Sequence, residues 1–172
     1  DTDADGTDTG TETGDDGGAK DPILGQVERL SVEEKIGQLL LAGIEGTGIS
    51  EQEKSLIQDY HVGGLILYNK NIESAEQTRS LLNDLKKLNQ RNSIPLFLSL
   101  DQEGGSVNRL PQQFEPFPSA HRIGQTSDEK LSFQIGQITG QAVAALGFNM
   151  NYAPVLDINS NPNNPVIGER AF

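Results

Sequence analysis

The chain has 172 residues, no cysteine and a formal net charge of −12. An acidic chain without a basic stripe argues against nucleic-acid binding, because the phosphates would be repelled. The absence of cysteine excludes disulfides, thiolate metal sites and cysteine catalysis. No apolar run approaches the roughly 20 residues that span a bilayer. At this length we expect one domain of ordinary size, or part of a larger one.

Residues 1–22 form an acidic segment that holds eight acidic residues and one lysine, and it consists mainly of Asp, Thr and Gly. Such a segment buries too little apolar surface to offset the entropy of ordering, so it predicts a disordered linker. It is either a tail without a role or a tether, and we favour the tether. Since the chain begins at Asp1 rather than Met, we expect an upstream export segment or lipid anchor, and an extracellular or cell-surface location.

Folding is expected from residue 23, beginning with two helix–strand pairs. Ser31 and Glu34 have capping-box spacing and predict a helix from near Val32. The apolar run 39–43 follows as a predicted buried strand. A second box at 50–53 opens a helix that extends to about residue 60.

The next predicted strand is 65–68, and a third box at 74–77 opens a helix. A stripe of leucines marks the buried face of that helix: Leu81, Leu82, Leu85 and Leu88. Residues 95–100 are the third predicted strand.

Residues 102–127 are interpreted as a loop, and Asp128 as the cap of a fourth helix that ends at Gly147. Its apolar face is predicted to comprise Leu131, Ile135, Ile138, Ala142 and Ala145. Residues 149–155 follow as the fourth strand, which delivers Asp157 to a loop in a capping or supporting role.

Alternating strands and helices with short connections predict an α/β fold with parallel strands. In such folds ligands bind at the carboxyl ends of the strands. The loops that follow the third and fourth strands are therefore where a site is expected, beginning at Asp101 and Asp157.

Asp101 and Glu103 follow the third strand and precede two glycines. Carboxylates at i and i+2 share one face of an extended segment, about 6.5–7 Å apart at Cα. That spacing fits an acid–base pair of the kind that hydrolyses glycosides. The alternative is that one carboxylate caps the turn and the other pairs with Arg109. Arg109 and Arg170 are either solvated or bind hydroxyls or an anion.

Metal and nucleotide sites find little support. His61 and His121 are the only histidines and lack metal-ligand spacing. His61 is interpreted as a residue at the end of a helix, and His121 as a partly exposed loop residue. The sequence has no phosphate-binding loop and no nucleophile elbow. We expect neither a metal nor a cofactor.

Five segments occur in an informative order: Leu65-Ile-Leu-Tyr68 with Asn71, Asp101-Gln-Glu-Gly-Gly-Ser-Val-Asn-Arg-Leu110, Phe117-Pro-Ser119, Asn149-Met-Asn-Tyr-Ala-Pro-Val-Leu-Asp157 and Asn164-Pro-Val-Ile-Gly-Glu-Arg-Ala-Phe172. Together they resemble the N-terminal half of glycoside hydrolase family 3, in its bacterial β-N-acetylhexosaminidase branch. The resemblance covers roughly residues 27–172.

The resemblance implies that residues 23–172 are the N-terminal half of a (β/α)8 barrel, about four strand–helix units. It implies a parent enzyme that removes terminal β-linked N-acetylglucosamine with retention, from peptidoglycan or chitin oligosaccharides and without an obligate protein partner. Asp101, Arg109 and Arg170 would contact the hydroxyls of the sugar, whereas Glu103 would brace its loop. None of the catalytic residues would lie in this chain.

Two departures from the family pattern matter. Ser106 stands where the family usually has arginine, which puts the stiffness of its loop in question. The family's Lys-His-Phe-Pro-Gly-His-Gly segment with the histidine acid/base, and its aspartate nucleophile, would lie downstream. Since four units cannot close a barrel, we expect the isolated chain to be marginally stable, oligomeric or prone to aggregation.

Two alternatives stay open. One is a non-catalytic module that binds a carbohydrate or a partner and keeps the sugar-contacting loops. The other is a β-glucosidase-type member of the same family.

Overall fold

The computed structural model describes residues 21–172, which belong to two compact units separated between Leu30 and Ser31. In the first unit, helix α1 spans Pro22–Arg29. The Asp21 carboxylate caps it by accepting a 2.9 Å hydrogen bond from the backbone N–H of Ile23. Helix α1 thus begins inside the segment assigned to the acidic linker, whose other residues, 1–20, lie outside the described residues.

The second unit alternates helices and strands along the chain. Its elements are α2 (Val32–Gln38), β1 (Leu41–Gly43), α3 (Glu51–Gln58), β2 (Gly64–Ile66), α4 (Ala75–Leu88), β3 (Phe97–Leu100), α5 (Ala120–Gly124), α6 (Glu129–Leu146) and β4 (Met150–Asn151), with 3-10 turns at Asn69–Asn71, Asn89–Arg91 and Gly168–Arg170. All strand pairs are parallel, in the order β1-β2-β3-β4. This arrangement confirms the predicted α/β class. Among residues 21–172 no helix has the length and apolar character that a membrane crossing requires.

Capping chemistry fixes the helix starts. Both reciprocal bonds of the capping box form at Ser31 and at Ser50, as predicted. At Ser74 only half of the predicted box forms: its hydroxyl accepts from Gln77 N–H, but Gln77 Oε1 accepts from the N–H of Glu73 rather than from that of Ser74. The Gln77 amide also donates to the carbonyl of Thr47, at 2.8 Å. It therefore ties α4 to the loop that follows β1.

The core lies around β2 and β3. Four leucines in these strands or directly after β2 are completely buried: Leu65, Leu67, Leu98 and Leu100. Helix α4 adds Leu81, Leu82 and Leu85, and the stripe predicted for that helix is confirmed at those positions. The fourth member of the stripe, Leu88, is partly buried against the same core.

The prediction that residues 39–43 are a buried strand is wrong for its leucines. Leu39, Leu40 and Leu41 are 84%, 52% and 43% exposed. Leu39 and Leu40 precede β1, which begins only at Leu41, and among the described residues β1 pairs only with β2, at one edge of the sheet.

The predicted apolar face of α6 is also partly wrong. Ile138 and Ala145 are exposed, whereas Val143 and Leu146 are the buried residues of the helix. The reason is that α6 contributes to the core only through its last turns, near α4. Asp128 and Gly147 bound the helix as predicted, and Gly147 has the left-handed φ of +108°.

Strand β4 is much shorter than predicted, because two asparagine side chains replace the missing ladder. Asn149 Oδ1 accepts a 2.8 Å bond from the backbone N–H of Leu98. Asn151 Oδ1 accepts a 2.8 Å bond from the N–H of Gln102, and its Nδ2 donates at 3.0 Å to the Gln102 carbonyl. The strand therefore ends at Asn151, and Asp157, predicted to follow it directly, lies in an exposed loop.

Candidate functional site

A cleft of about 500 Å³ opens at the carboxyl ends of β2, β3 and β4. Its lining combines charged, aromatic and apolar side chains: Ile66, Tyr68, Asp101, Glu103, Val107, Arg109, Tyr152, Val155 and Arg170. The volume suits a small ligand, since such sites typically measure about 300–1,000 Å³. The structure thus brings Asp101, Arg109 and Arg170 together in one cleft, where the sequence predicted a site.

Asp101 and Arg109 form an open pair at one side of the cleft. Arg109 Nη2 lies 3.9 Å from Asp101 Oδ2, which is within ion-pair range but beyond a hydrogen bond. Arg109 Nη1 donates instead to Asn69 Oδ1 at 2.7 Å. Both side chains of the pair are about one quarter exposed, at 22% for the arginine and 26% for the aspartate. Charged donors and acceptors therefore remain accessible there to a polar ligand.

Glu103 and Arg170 form a closed pair. Arg170 Nε and Nη2 donate to the two oxygens of Glu103, each at 2.9 Å, in the bidentate geometry that makes such pairs strong. The Glu103 side chain is only 8% exposed. These bonds, partly opposed by burial, raise the pKa of the Arg170 guanidinium, and the charges of Glu103, Asp157 and Asp101 add to that effect.

This pairing decides among the interpretations of the two carboxylates. Both oxygens of Glu103 are committed to Arg170, so Glu103 is not the partner of Asp101 in an acid–base pair. Asp101 lies near Arg109, as the alternative interpretation has it, but the other carboxylate, Glu103, pairs with Arg170 instead of capping the turn. Glu103 ties the loop after β3 to the turn that holds Arg170, which is the bracing role that the resemblance implied.

Two glycines shape the loop after β3. Gly104 has a φ of +92°, and a Cβ there would lie 2.2 Å from the carbonyl oxygen of Pro118. Gly105 has a φ of +58°, and its N–H donates to the Phe117 carbonyl at 2.9 Å. A side chain at Gly104 would push against residues 117–118, and one at Gly105 would lie 2.6 Å from the Cβ of Ser119. The glycine pair therefore brings two distant parts of the chain into contact.

The loop is tied down without an arginine at position 106. The Gly104 and Val107 backbones bond to each other in both directions, at 3.1 and 3.2 Å. The N–H of Ser106 donates to Glu169 Oε1 at 3.1 Å. Glu169 and Arg170 thus hold the loop after β3 at two points. These contacts restrain the loop, although Ser106 replaces the arginine that the family usually has.

Sequence reasoning missed the polar residues behind the charged ones. Gln102 is completely buried between the two carboxylates of the loop, and Asn69 and Asn108 connect to Arg109 and Gln102. The signal for Gln102 was the strand periodicity, because alternation directs position 102 away from the face shared by 101 and 103. A buried polar side chain requires partners, which would have pointed to this network.

The two histidines lie outside the cleft lining. His61 Nδ1 lies 3.2 Å from Asn92 Oδ1 beyond the end of α3, in keeping with the predicted position. His121 is exposed on α5, a helix that the sequence analysis had assigned to a loop. Within residues 21–172 no group of three or more His, Cys, Asp or Glu side chains is arranged to hold a metal ion.

Comparison with known proteins adds to this geometry. The model of the glycosyl hydrolase family 3 N-terminal domain matches residues 31–172. A β-hexosaminidase A from Pseudoalteromonas piscicida is 37% identical over 132 residues, which are 73% of this chain and 22% of that protein.

Solved structures agree with the sequence relatives. A glycoside hydrolase family 3 β-N-acetylglucosaminidase from Paenibacillus sp. str. FPU-7 superposes with a TM-score of 0.79 and 40% identity, over 82% of this chain and 27% of that one. The NagZ protein of Neisseria gonorrhoeae, in complex with N-trifluoroacetyl-D-glucosamine, gives 0.69 and 30%, over 76% and 40%. The chain therefore spans about a fifth to two fifths of the length of these relatives.

Proposed function

The chain belongs to glycoside hydrolase family 3, and we propose that it is the N-terminal, substrate-binding part of the catalytic domain of a β-N-acetylhexosaminidase. The family match over residues 31–172 and the names of the relatives support this proposal. The four parallel strands correspond to the first half of the (β/α)8 barrel that its structural neighbours have. The observation that carries the proposal is the polar cleft at the carboxyl ends of those strands.

In this proposal Asp101, Arg109 and Arg170 bind the hydroxyls of the terminal sugar. A carboxylate accepts hydrogen bonds from hydroxyls and a guanidinium donates to them, and charge-assisted bonds of this kind orient a polyhydroxyl ring firmly. The neighbouring structure with a bound glucosamine derivative is consistent with a sugar ligand. Orientation of the ring matters for rate, because a reacting bond has to be presented to the attacking group.

The reaction is proposed to be retaining hydrolysis in two steps. In the first, an aspartate supplied by a further part of the protein attacks the anomeric carbon while a histidine protonates the leaving oxygen, so that the glycosidic bond breaks and a glycosyl-enzyme forms. In the second, the histidine takes a proton from a water molecule that attacks the same carbon and releases the aspartate and the sugar. The chain described here supplies the residues that bind the sugar. Because the catalytic residues are supplied by a further part of the protein, Glu103 can pair with Arg170 without removing a catalytic group.

For the biological setting we propose terminal N-acetylglucosamine residues of peptidoglycan or chitin oligosaccharides as substrates. The acidic composition of residues 1–22 supports a hydrophilic tether, and with it an extracellular or cell-surface protein that can be lipid-anchored. Cell fractionation followed by immunoblotting tests this location. Recovery of the protein in the cytoplasmic fraction alone would contradict it.

The activity is tested with the full-length protein that contains this chain. We expect release of nitrophenol from p-nitrophenyl β-N-acetylglucosaminide and much slower release from the matching β-glucoside. Cleavage of the β-glucoside alone would place the protein in the β-glucosidase-type branch. Binding of chitin oligosaccharides without cleavage of either substrate would identify a non-catalytic module instead.

A further inference from the structure

Gln102 occupies an unusual position for a polar side chain. It stands between Asp101 and Glu103, yet it is 0% exposed while both neighbours line the cleft. Strand-like alternation explains the arrangement, because adjacent side chains of an extended segment point to opposite sides. Burying an amide is costly unless its donors and acceptor find partners. The partners of its hydrogen bonds therefore indicate the role of the Gln102 side chain.

The Gln102 amide fixes three consecutive residues of a separate segment. Its Oε1 accepts from the backbone N–H of Arg109 at 2.8 Å and from that of Leu110 at 3.1 Å. Its Nε2 donates to Asn108 Oδ1 at 2.7 Å. One rigid planar group thus places the Arg109 backbone relative to the end of β3.

The Gln102 backbone is itself anchored from the other side. Its N–H and its carbonyl both bond to the side-chain amide of Asn151, at 2.8 and 3.0 Å. The anchor is therefore part of the sheet rather than of the loop. The Gln102 amide therefore holds residues 108–110 in a fixed position relative to β3 and β4.

The network continues to the guanidinium. Asn69 Nδ2 donates to the Asn108 carbonyl at 3.2 Å, and Asn69 Oδ1 accepts from Arg109 Nη1 at 2.7 Å. Gln102 fixes the position of the Arg109 backbone, and Asn69 fixes the position of the Arg109 guanidinium. Together they determine the 3.9 Å separation between Arg109 and Asp101.

We propose that Gln102 is a positioning residue that holds Arg109 beside Asp101 for binding of the sugar. The inference rests on the proposed function for its consequence in catalysis. Its structural part, the control of residues 108–110 by the buried amide, stands on the hydrogen bonds alone.

A double-mutant cycle in the full-length protein tests the coupling. Gln102→Met keeps the length of the side chain but removes all of its amide bonds, and Gln137→Met on the exposed face of α6 is the matched control. With p-nitrophenyl β-N-acetylglucosaminide we expect Gln102→Met to lower kcat/KM about tenfold or more. In an Arg109→Ala background the same change should cost less than about threefold, because the residue that it positions is gone. Equal losses in both backgrounds would overturn the proposal.

A milder variant covers the case in which Gln102→Met does not fold. Asn108 is only partly buried, and Asn108→Leu removes the acceptor of the Gln102 amide while leaving the two backbone bonds. We expect a smaller loss of kcat/KM that again vanishes in the Arg109→Ala background. A loss that persists there would overturn the proposal as well.

Hydrogen exchange of the same proteins gives a readout that does not need activity. In Gln102→Met the amides of Arg109 and Leu110 should exchange at least about tenfold faster, and in Asn108→Leu, which keeps their bonds to Gln102, by a smaller factor, whereas those of β2 and β3 should be unchanged in both. Uniform acceleration, or none, would overturn the positioning role. A wild-type protein that cleaves no glycoside would refute the proposed function, and the exchange pattern would still decide the structural part.

Discussion

Two arginines line the same cleft, and the protein holds them differently. Arg170 is locked to the buried Glu103 by two hydrogen bonds of 2.9 Å. Arg109 has one bond of 2.7 Å to the neutral side chain of Asn69 and stands 3.9 Å from Asp101. On the Arg170 side of the cleft the charge of the guanidinium is compensated by a hydrogen-bonded carboxylate, and we call this the closed side. On the Arg109 side the two charged groups are not hydrogen-bonded to each other, and we call this the open side.

The number of donors sharpens this difference. A guanidinium carries five N–H groups. Arg170 uses its Nε and both terminal nitrogens on Glu103 and on the Val166 carbonyl. Arg109 uses Nη1 alone; its Nε is buried, but its Nη2 makes no hydrogen bond among the described residues and can turn to a ligand. The Arg109 side should therefore contribute mainly to binding and the Arg170 side mainly to the architecture of the cleft.

The largest effect is expected for Arg109→Ala in the full-length protein. Loss of charge-assisted bonds to the sugar, about 2–3 kcal/mol, should lower kcat/KM roughly 100-fold. The thermal midpoint should change little. Arg109 Nε is buried without a hydrogen-bond partner among the described residues, which costs stability, and its removal offsets the loss of the bond to Asn69. Initial rates and thermal denaturation of the same samples measure both quantities. Arg91→Ala, at an exposed position, is the control.

A second change tests the closed pair. Glu103→Gln keeps the size of the side chain but removes the charge that compensates Arg170, and it should cost about 2 kcal/mol of stability. We expect a lower thermal midpoint and a smaller loss of kcat/KM than in Arg109→Ala. The control is Glu169→Gln in the same turn, which keeps the acceptor for the Ser106 N–H. If Glu103→Gln left the protein stable but lowered kcat/KM 100-fold, the Arg170 side would be the one that acts mainly in binding.

Asn69→Ala addresses the support of the open side. It removes the bonds to Arg109 Nη1 and to the Asn108 carbonyl, which are exposed and together worth about 1 kcal/mol. We expect KM to rise about threefold to tenfold with kcat nearly unchanged, as measured by steady-state kinetics. Asn163→Ala, on an exposed loop, should leave KM as it is. A fall in kcat alone would show that Asn69 does not act through binding.

Much of the fold was predictable because its signals are local. Ser31 and Ser50 open helices by the expected capping boxes, and Gly147 ends α6 in the left-handed conformation. Leu81 and Leu85 lie on the predicted buried stripe. Each of these features depends on residues within a few positions of one another, so the sequence contains the whole cause.

The failures have a common physical origin in partners that are distant along the chain. Leu39 is exposed because it ends α2 instead of entering β1, and β1 has a neighbour on one edge only in the described residues, which no local pattern reveals. Strand β4 is short because Asn149 and Asn151 replace backbone bonds across to β3.

The site shows the same division. The family resemblance predicted Asp101, Arg109 and Arg170 as residues of one site, and the structure places all of them in one cleft, while their contact with a sugar stays a prediction. The pairing of Glu103 with Arg170 crosses 67 positions and was not foreseen. Geometry alone separates the open arginine from the closed one.

The smallest effect is expected at Glu53, a buried carboxylate outside the cleft lining that serves as a reference for the two arginines. Burial by itself would raise the pKa of Glu53, but bonds from the Ser50 hydroxyl and from the N–H groups of Ser50 and Glu45 outweigh it, so the pKa lies below its ordinary 4.5. The ionised form therefore stabilises the folded state. This contribution is complete above pH 4.5 and is lost as the pH falls through the lower, folded-state pKa.

Glu53→Gln should accordingly lower the free energy of unfolding by about 0.5–1 kcal/mol at pH 7, the range of a capping bond, and by less at pH 3. Chemical denaturation at the two pH values measures the difference, with Glu115→Gln at an exposed loop position as the control. Because Glu53 acts on the start of α3, kcat/KM at pH 7 should stay at the wild-type value. A stability difference that grows toward pH 3 would mean that the protonated carboxyl is the form that the fold prefers. A loss of kcat/KM would mean that the cleft depends on more than the two pairs of charges that line it.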